Sequence, residues 1–335
     1  MNAPMLTVNS ISGGATSAYM AVHYPADYNI FCLVCTDQPD IAPKDPGLRR
    51  EAQQRVPGFI ASRELDHTLK LVLDLEQLIQ KPIVWLTAKQ GQNEPRSMDA
   101  DQSWLPKLLT YDRLVATKGT LPNKNARFCT EELKLLATIW WRYLNLPTEP
   151  IVMNVGLRAD EESRVLKRLG KCDRASIPLS CKLTGQQRWE WKHQYHWREQ
   201  AFPLWQDGID EAKVIAFWQA KGWQFPGKPG ADAHLAALSS NCDRCFFKRI
   251  PEHKAMAALE PERSAWWLEQ ERSANATFMA DLSYEEIDRS DETTLQRLRK
   301  GRGVDRAFNS LESRGQLALL DRASYQEDLL CACTD

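Results

Sequence analysis

A chain of 335 residues allows one large domain or two modest ones, and with 43% hydrophobic residues it can build a substantial core. Its net charge of −1 excludes a global basic signature for nucleic acid and an acidic solvated tail. No apolar run approaches the roughly 18 residues of a membrane helix, and the opening Met-Asn-Ala-Pro-Met-Leu-Thr-Val lacks a charged n-region and a long apolar h-region; a soluble, cytoplasmic chain with no membrane partner is expected.

Residues 5–11 and 30–35 are short apolar runs followed by turn signals, as in buried parallel strands. Residues 15–23 are the expected crossover helix between them. The turn that joins strand to helix reads Ser12-Gly13-Gly14-Ala15-Thr16-Ser17. A Gly-rich turn in that place aims backbone N–H groups at one point, and the helix N-terminus adds about half a positive charge there. Ser12, Thr16 and Ser17 add short hydroxyl donors. The expected result is a phosphate cradle, although the same residues also suit an ordinary helix cap. It lacks the Lys of G-x-x-x-x-G-K-S/T, so it is not the usual ATPase loop. Thr36 and Asp37 fall at the C-terminal end of the second strand, where open α/β sheets bind ligands.

Residues 39–57 are Pro-rich and polar and read as a loop or insertion. Residues 65–79 have helical spacing at Leu65, Leu69, Val72, Leu75, Leu78 and Ile79. A third strand is expected at 82–87, helices at 104–115 and 131–144, a fourth strand at 151–156 and a helix at 160–169. Strands alternating with helices imply right-handed crossovers and a doubly wound parallel sheet, assigned to residues 1–185. Residues 186–335 read as a mainly helical region packed on that domain. Its first part, 186–205, is aromatic and basic: Trp189, Trp191, Tyr195 and Trp197 alternate with Arg188, Lys192, His193 and Arg198. That pattern suits either a nucleic-acid surface or a packed amphipathic segment. Residues 210–221 form a helix with Gly222 as its stop.

Arg158, Glu161 and Arg164 form a second constellation. Arg158 is expected just past a strand end, near the cradle, where a guanidinium fork suits phosphate oxygens. Spacing alone also suits capping acids followed by surface charges. With the cradle upstream, phosphate or pyrophosphate contact is the expectation for both arginines.

Nine cysteines in a chain of this kind point to thiols, metal or clusters rather than disulfides. Cys242-Asp243-Arg244-Cys245 is a C-x-x-C whose thiolates could reach one metal or cluster, but the spacing also fits a redox pair or coincidence. Cys129 stands beside Arg127 and Lys134, and cationic neighbours favour a thiolate. Cys32 and Cys35 lie on a strand with their side chains on opposite faces and read as core thiols.

Four segments together resemble one family. Ser12-Gly-Gly-Ala-Thr-Ser17 resembles the S-G-G-x-T/D-S loop of the PP-loop ATP pyrophosphatases. Arg127-Phe-Cys-Thr-Glu-Glu-Leu-Lys134 and Gly156-Leu-Arg-Ala-Asp-Glu-Glu-Ser-Arg164 look like motifs of its phosphoadenylylsulfate reductase-like branch. Asn241-Cys-Asp-Arg-Cys-Phe-Phe-Lys248 is similar to an element of the phage and prophage members. The resemblance implies an adenine nucleotide alpha hydrolase-like fold that binds ATP with Mg²⁺ and releases pyrophosphate while adenylylating an acceptor. Ser12, Gly13, Gly14, Thr16 and Ser17 would hold phosphates, Thr36 and Asp37 the adenosine side, and Arg158 and Arg164 the pyrophosphate. In cluster-bearing relatives, positions matching Cys129, Cys242 and Cys245 bind a 4Fe–4S cluster; zinc is the alternative. Phe128 replaces one ligand, which leaves an iron open for sulfur transfer unless Cys331, Cys333 or Cys181 closes the set. The acceptor would be tRNA, DNA or a small molecule, and the sulfur donor a partner such as a cysteine desulfurase. The E-C-G-I/L-H motif of assimilatory reductases is missing. Reduction of an adenylylated sulfate is the rival enzyme reading, and a nucleotide-sensing module of a phage or defence system the non-catalytic one.

Overall fold

The computed structural model describes residues 5–89, 108–146, 150–169, 173–180, 187–240 and 242–298, with 173–180 and 187–195 described by their backbone. In chain order it has β1 (Thr7–Ile11), α1 (Ala15–His23), β2 (Tyr28–Cys32), β3 (Cys35–Thr36), α2 (Pro46–Arg55), β4 (Ala61–Ser62), α3 (Asp66–Ile79), β5 (Ile83–Leu86) and α4 (Tyr111–Lys118). There follow α5 (Phe128–Thr130), a π turn (Glu131–Leu135), α6 (Leu136–Asn145), β6 (Ile151–Asn154), a 3-10 turn (Ala159–Glu161) and α7 (Glu162–Leu166). The rest comprises β7 (Asp173–Ser180), β8 (Gln187–Tyr195), β9 (Arg198–Ala201), α8 (Pro203–Gln206), α9 (Glu211–Ala220), α10 (Ala233–Ala237), α11 (Ile250–Leu259), α12 (Pro261–Ala274) and α13 (Tyr284–Arg289).

Five strands form one all-parallel sheet in the order β5-β2-β1-β6-β9. Successive strand residues face opposite sides, and both sides are covered. Ile11, Phe31 and Trp85 pack with Ala18 of α1, Val72 of α3 and Trp218 of α9. Val8, Ile30 and Met153 pack with Leu136 and Ile139 of α6. Continuous apolar runs, rather than alternating ones, are what a sheet buried on both faces requires. At the centre, Asn154 donates to Asn9 (2.9 Å) and Asn9 donates to Asn29 (3.0 Å). This buried asparagine ladder links β6, β1 and β2 in register. After β1 the chain builds one half of the sheet, and with β6 it begins the other. The strand order therefore reverses between β1 and β6, and ligands of such sheets bind beyond the carboxyl ends of the strands at that point.

Several expected elements differ. The loop expected at 39–57 contains α2, started by Pro46 at its first position and by Asp45, whose carboxylate accepts from the Gly47 and Leu48 N–H groups. The helix expected at 104–115 begins at Tyr111, where Thr110 caps it, and runs to Lys118; residues 104–107 lie outside the described ones. The strand expected at 30–35 stops at Cys32, and Cys35–Thr36 instead pairs antiparallel with β4. Two strands, not helix, follow residue 186. One of them, β9, is the fifth strand of the central sheet. The helix after it, α9, docks on α1, with Trp218 Nε1 donating to the Ala15 carbonyl (2.9 Å).

The remaining helices pack around Trp267, Phe278, Tyr284 and Ile287, and meet Tyr111, Leu114 and Leu133 of the first half. Among the described residues no helix is long and apolar enough to cross a membrane.

Candidate functional site

The turn after β1 is braced from within. Ser12 N–H donates to Ser17 Oγ (3.0 Å), the two serine hydroxyls are 2.9 Å apart, and Ser17 Oγ donates to the Gly14 carbonyl (3.2 Å). Ser12 and Ser17 thus shape the turn. Gly13 is left-handed (φ +81°), and a Cβ there would lie 2.4 Å from Thr68 Cγ2 on α3. Gly14 is the N-cap of α1 and no side chain caps that helix. The first-turn N–H groups of a helix have no partner within it, so the positive end of α1 faces the switch point.

The chain leaving β6 passes close to this turn. A Cβ on Gly156 would lie 3.3 Å from Ser17 Cα. Two residues on, Arg158 is 7% exposed and donates from Nη1 to Thr16 Oγ1 (2.9 Å). Its Nε and Nη2 donate to the two oxygens of Asp160 (3.1 and 3.2 Å), and its backbone N–H donates to Glu161 (3.1 Å). Burial pushes the Asp160 carboxyl up, but the Arg158 guanidinium outweighs it and holds the group below the usual carboxylate range. Glu161 also pairs with Arg164. The structure therefore brings Ser12, Gly13, Gly14, Thr16, Ser17 and Arg158 together, with Arg164 joined through Glu161.

Thr36 and Asp37 are committed elsewhere. Thr36 Oγ1 donates to Asp112, and Asp37 holds Arg113 with both oxygens (2.8 and 3.1 Å) and accepts from Thr110 (2.8 Å). Asp112 in turn accepts from Arg63 (3.2 Å), a fully buried guanidinium stacked 4.2 Å from the Trp266 ring. Arg63 lies 3.5 Å from Asp243, between the two cysteines of the C-x-x-C. Asp243 accepts from Trp267 Nε1 (2.9 Å), and its own N–H donates to the Arg63 carbonyl (2.7 Å). A chain of polar contacts thus runs from Thr36 to the cysteine turn.

Cys129 sits in α5, immediately before a π turn at Glu131–Leu135; such turns are rare and concentrate at functional sites. Cys129, Cys242 and Cys245 are half-buried; Cys129 and Cys242 pack against one apolar cluster, with Cys245 and Lys134 close enough to act on both. Cationic neighbours do not decide Cys129 and Cys242. Burial pushes Cys129 up to about 11, with Cys245 adding to it, against Arg127 and Lys134. Burial likewise raises Cys242. For Lys134, burial lowers the ammonium, but Cys242, Glu64, Cys32 and Cys245 outweigh it. Glu64 Oε1 lies 3.9 Å from Lys134, and burial pushes that acid up to about 7.

Three thiols with Arg127, Lys134 and Lys248 around them suit an anionic thiolate-bound cluster in their chemistry. Among the described residues, however, no group of three or more His, Cys, Asp or Glu side chains is arranged to hold a metal ion. Cys172, Cys181, Cys331 and Cys333 lie outside the described residues. Of the aromatic and basic segment, Trp197 is a core residue, with Arg198 over its ring at 4.9 Å; the side chains of 187–195 lie outside the described ones.

Sequence reasoning assigned no role to Arg63, Glu64, Asp112 or Asp243. None of them stands in a periodic pattern, and tertiary packing alone brings them to the cysteine turn. Neither a protein-family model, nor a curated protein, nor a solved structure matches this chain. Its own fold and site define its class: an α/β protein with a five-stranded parallel sheet and a Gly-rich turn facing a buried arginine at the switch point.

Proposed function

We propose that this chain is a cytoplasmic PP-loop-type enzyme of the phosphoadenylylsulfate reductase-like branch. It binds ATP with Mg²⁺ beyond β1 and β6 and adenylylates an acceptor with release of pyrophosphate. The observation that carries this reading is the Arg158 guanidinium set 2.9 Å from Thr16 on a helix-initiating Gly-rich turn. Backbone N–H groups of residues 13–17 receive phosphate oxygens. Arg158 exchanges Asp160 for pyrophosphate oxygens, so that a charge held by the protein meets the charge that develops on the leaving group. Arg164, linked through Glu161, adds a second cation.

Cys129, Cys242 and Cys245 would hold a 4Fe–4S cluster, with zinc the alternative. Such a cluster supplies a site from which sulfur is delivered to the activated acceptor, a tRNA, a DNA or a small molecule, after loading by a donor such as a cysteine desulfurase. Lys134 and Arg127 offset the negative charge that three thiolates bring into a buried place.

Pyrophosphate release from ATP, followed by a coupled assay, tests the reading. Arg158→Lys keeps the charge but loses the fork, at a cost of roughly 1–3 kcal/mol in the transition state. A wild-type rate in that variant returns Arg158 to capping its turn. ATP binding without pyrophosphate release makes the protein a nucleotide sensor, and sulfite formed from an adenylylated sulfate makes it a reductase.

A further inference from the structure

α4 lies between the two segments that carry the cysteines. Its last turn reaches the Cys129 segment: Lys118 pairs with Glu132 (2.8 Å) and stands over the Phe128 ring (5.9 Å). Its first turn reaches the C-x-x-C turn: Asp112 accepts from Arg63, which lies 3.5 Å from Asp243. Tyr111, the first residue of α4, packs its ring against Trp267 (5.1 Å) and Trp266 (5.6 Å). Trp267 donates to Asp243, so Tyr111 belongs to the aromatic box on which the cysteine turn is seated, and Cys129 and Cys242 pack against that same cluster. Tyr111 is 2% exposed, and its hydroxyl has no hydrogen-bond partner among the described residues. Tyr284, the other tyrosine of the cluster, meets the same need by donating to the Arg244 carbonyl (2.5 Å). A buried hydroxyl left unpaired costs free energy that a phenylalanine in the same space would avoid. Burial pushes the Tyr111 phenol well above its ordinary range, and Cys129, Cys242, Tyr284 and Cys245 push it further, so the group keeps its proton and stays a donor. The acceptor that suits it is an anion on the cysteine side. Sulfur accepts weakly as a thiol and strongly once it carries charge.

We infer that the Tyr111 hydroxyl is the hydrogen-bond donor to anionic sulfur held by Cys129 and the Cys242–Cys245 turn, and so a positioning residue of that site. It orients and stabilises the thiolates in their metal-bound form. The inference rests on these cysteines being the metal or cluster site proposed above.

The test uses the anaerobically reconstituted full chain and two readouts that need no turnover. One is the affinity for cobalt(II), followed by thiolate-to-cobalt absorption. The other is the reduction potential of the iron-loaded protein. Tyr111→Phe should bind cobalt about tenfold more weakly, the loss of one hydrogen bond to a charged group. It should also lower the reduction potential, which hydrogen bonds to sulfur help to set. Without metal, the variant should resist urea at least as well as wild type, because the unpaired hydroxyl is gone; a merely structural role would lower that stability and leave cobalt affinity unchanged. A fluorotyrosine at position 111 keeps the shape and makes a stronger donor, so it should move affinity and potential the opposite way; it also carries the test if Tyr111→Phe does not fold. A protein that holds zinc and no iron is decided by cobalt affinity alone. Cobalt bound with the same affinity in wild type and both variants overturns the inference and leaves the cysteine site standing. Wild type that takes up neither cobalt nor iron overturns the cysteine site, and this inference with it.

Discussion

Replacing Gly13 by alanine adds one carbon, and that carbon would sit 2.4 Å from Thr68 Cγ2. Two costs follow. The left-handed backbone (φ +81°) disfavours any Cβ by about 1–2 kcal/mol. The overlap with Thr68 adds about 1–3 kcal/mol of overpacking, because Thr68 is fully buried and its neighbours leave Cγ2 little room to retreat. The sum is roughly 2–5 kcal/mol, a large fraction of a domain's stability. Thr68→Ser removes Cγ2 and separates the two costs. In that background Gly13→Ala should cost only the backbone share, about 1–2 kcal/mol. Urea unfolding of the four proteins of this cycle measures the coupling, and calorimetry with ATP on the folded variants reads the turn's function. A Gly13→Ala protein within about 0.5 kcal/mol of wild type, or a cost unchanged by Thr68→Ser, would refute the reasoning.

Asp243→Ala should destabilise by about 1–3 kcal/mol in urea, since it leaves the buried Trp267 N–H without an acceptor and takes one of two nearby acids from the fully buried Arg63, which keeps Asp112; Asp243→Asn, which keeps an acceptor for Trp267, should cost less. After strictly anaerobic purification, Cys129→Ala, Cys242→Ala and Cys245→Ala should each lose most of the iron, while Cys35→Ala, whose strand pairs with β4, should keep it; zinc in place of iron would leave nucleotide chemistry alone. The contribution of Glu271 to stability should fall as pH rises from about 4.5 to about 7. Burial pushes Glu271 up to about 7, so the folded state binds the extra proton in that window and its advantage is lost above it. The change is about 3 kcal/mol for this group, which faces Arg244, Asp288 and the Phe278 and Tyr284 N–H groups. The difference in urea stability between wild type and Glu271→Gln across pH 4–8 should show that slope, since Glu64 and His253 titrate alike in both proteins.

What the amino-acid sequence determined by itself is local. Short apolar runs separated by turns specify strands, periodicity specifies α3 and α9, and a Gly-rich turn between strand and helix marks the start of α1, because each depends on residues within one or two turns of each other. Even α2 was legible in Asp45-Pro46, although a Pro-rich, polar stretch masked it. The order β5-β2-β1-β6-β9 and the recruitment of β9 were not, because every parallel pairing but β1 with β2 joins residues more than forty positions apart, as Met153 and Gln200 show. Nor could local pattern reveal that Gly13, through Thr68, is the constrained glycine of the turn. Tertiary packing alone ties Thr36 to Asp112 and the cysteine turn to Arg63, and buries Arg127 with two of its donors unpartnered among the described residues. The physical reason is the same in each case: a buried charge takes its meaning from whatever the fold places around it, and those neighbours come from distant parts of the chain.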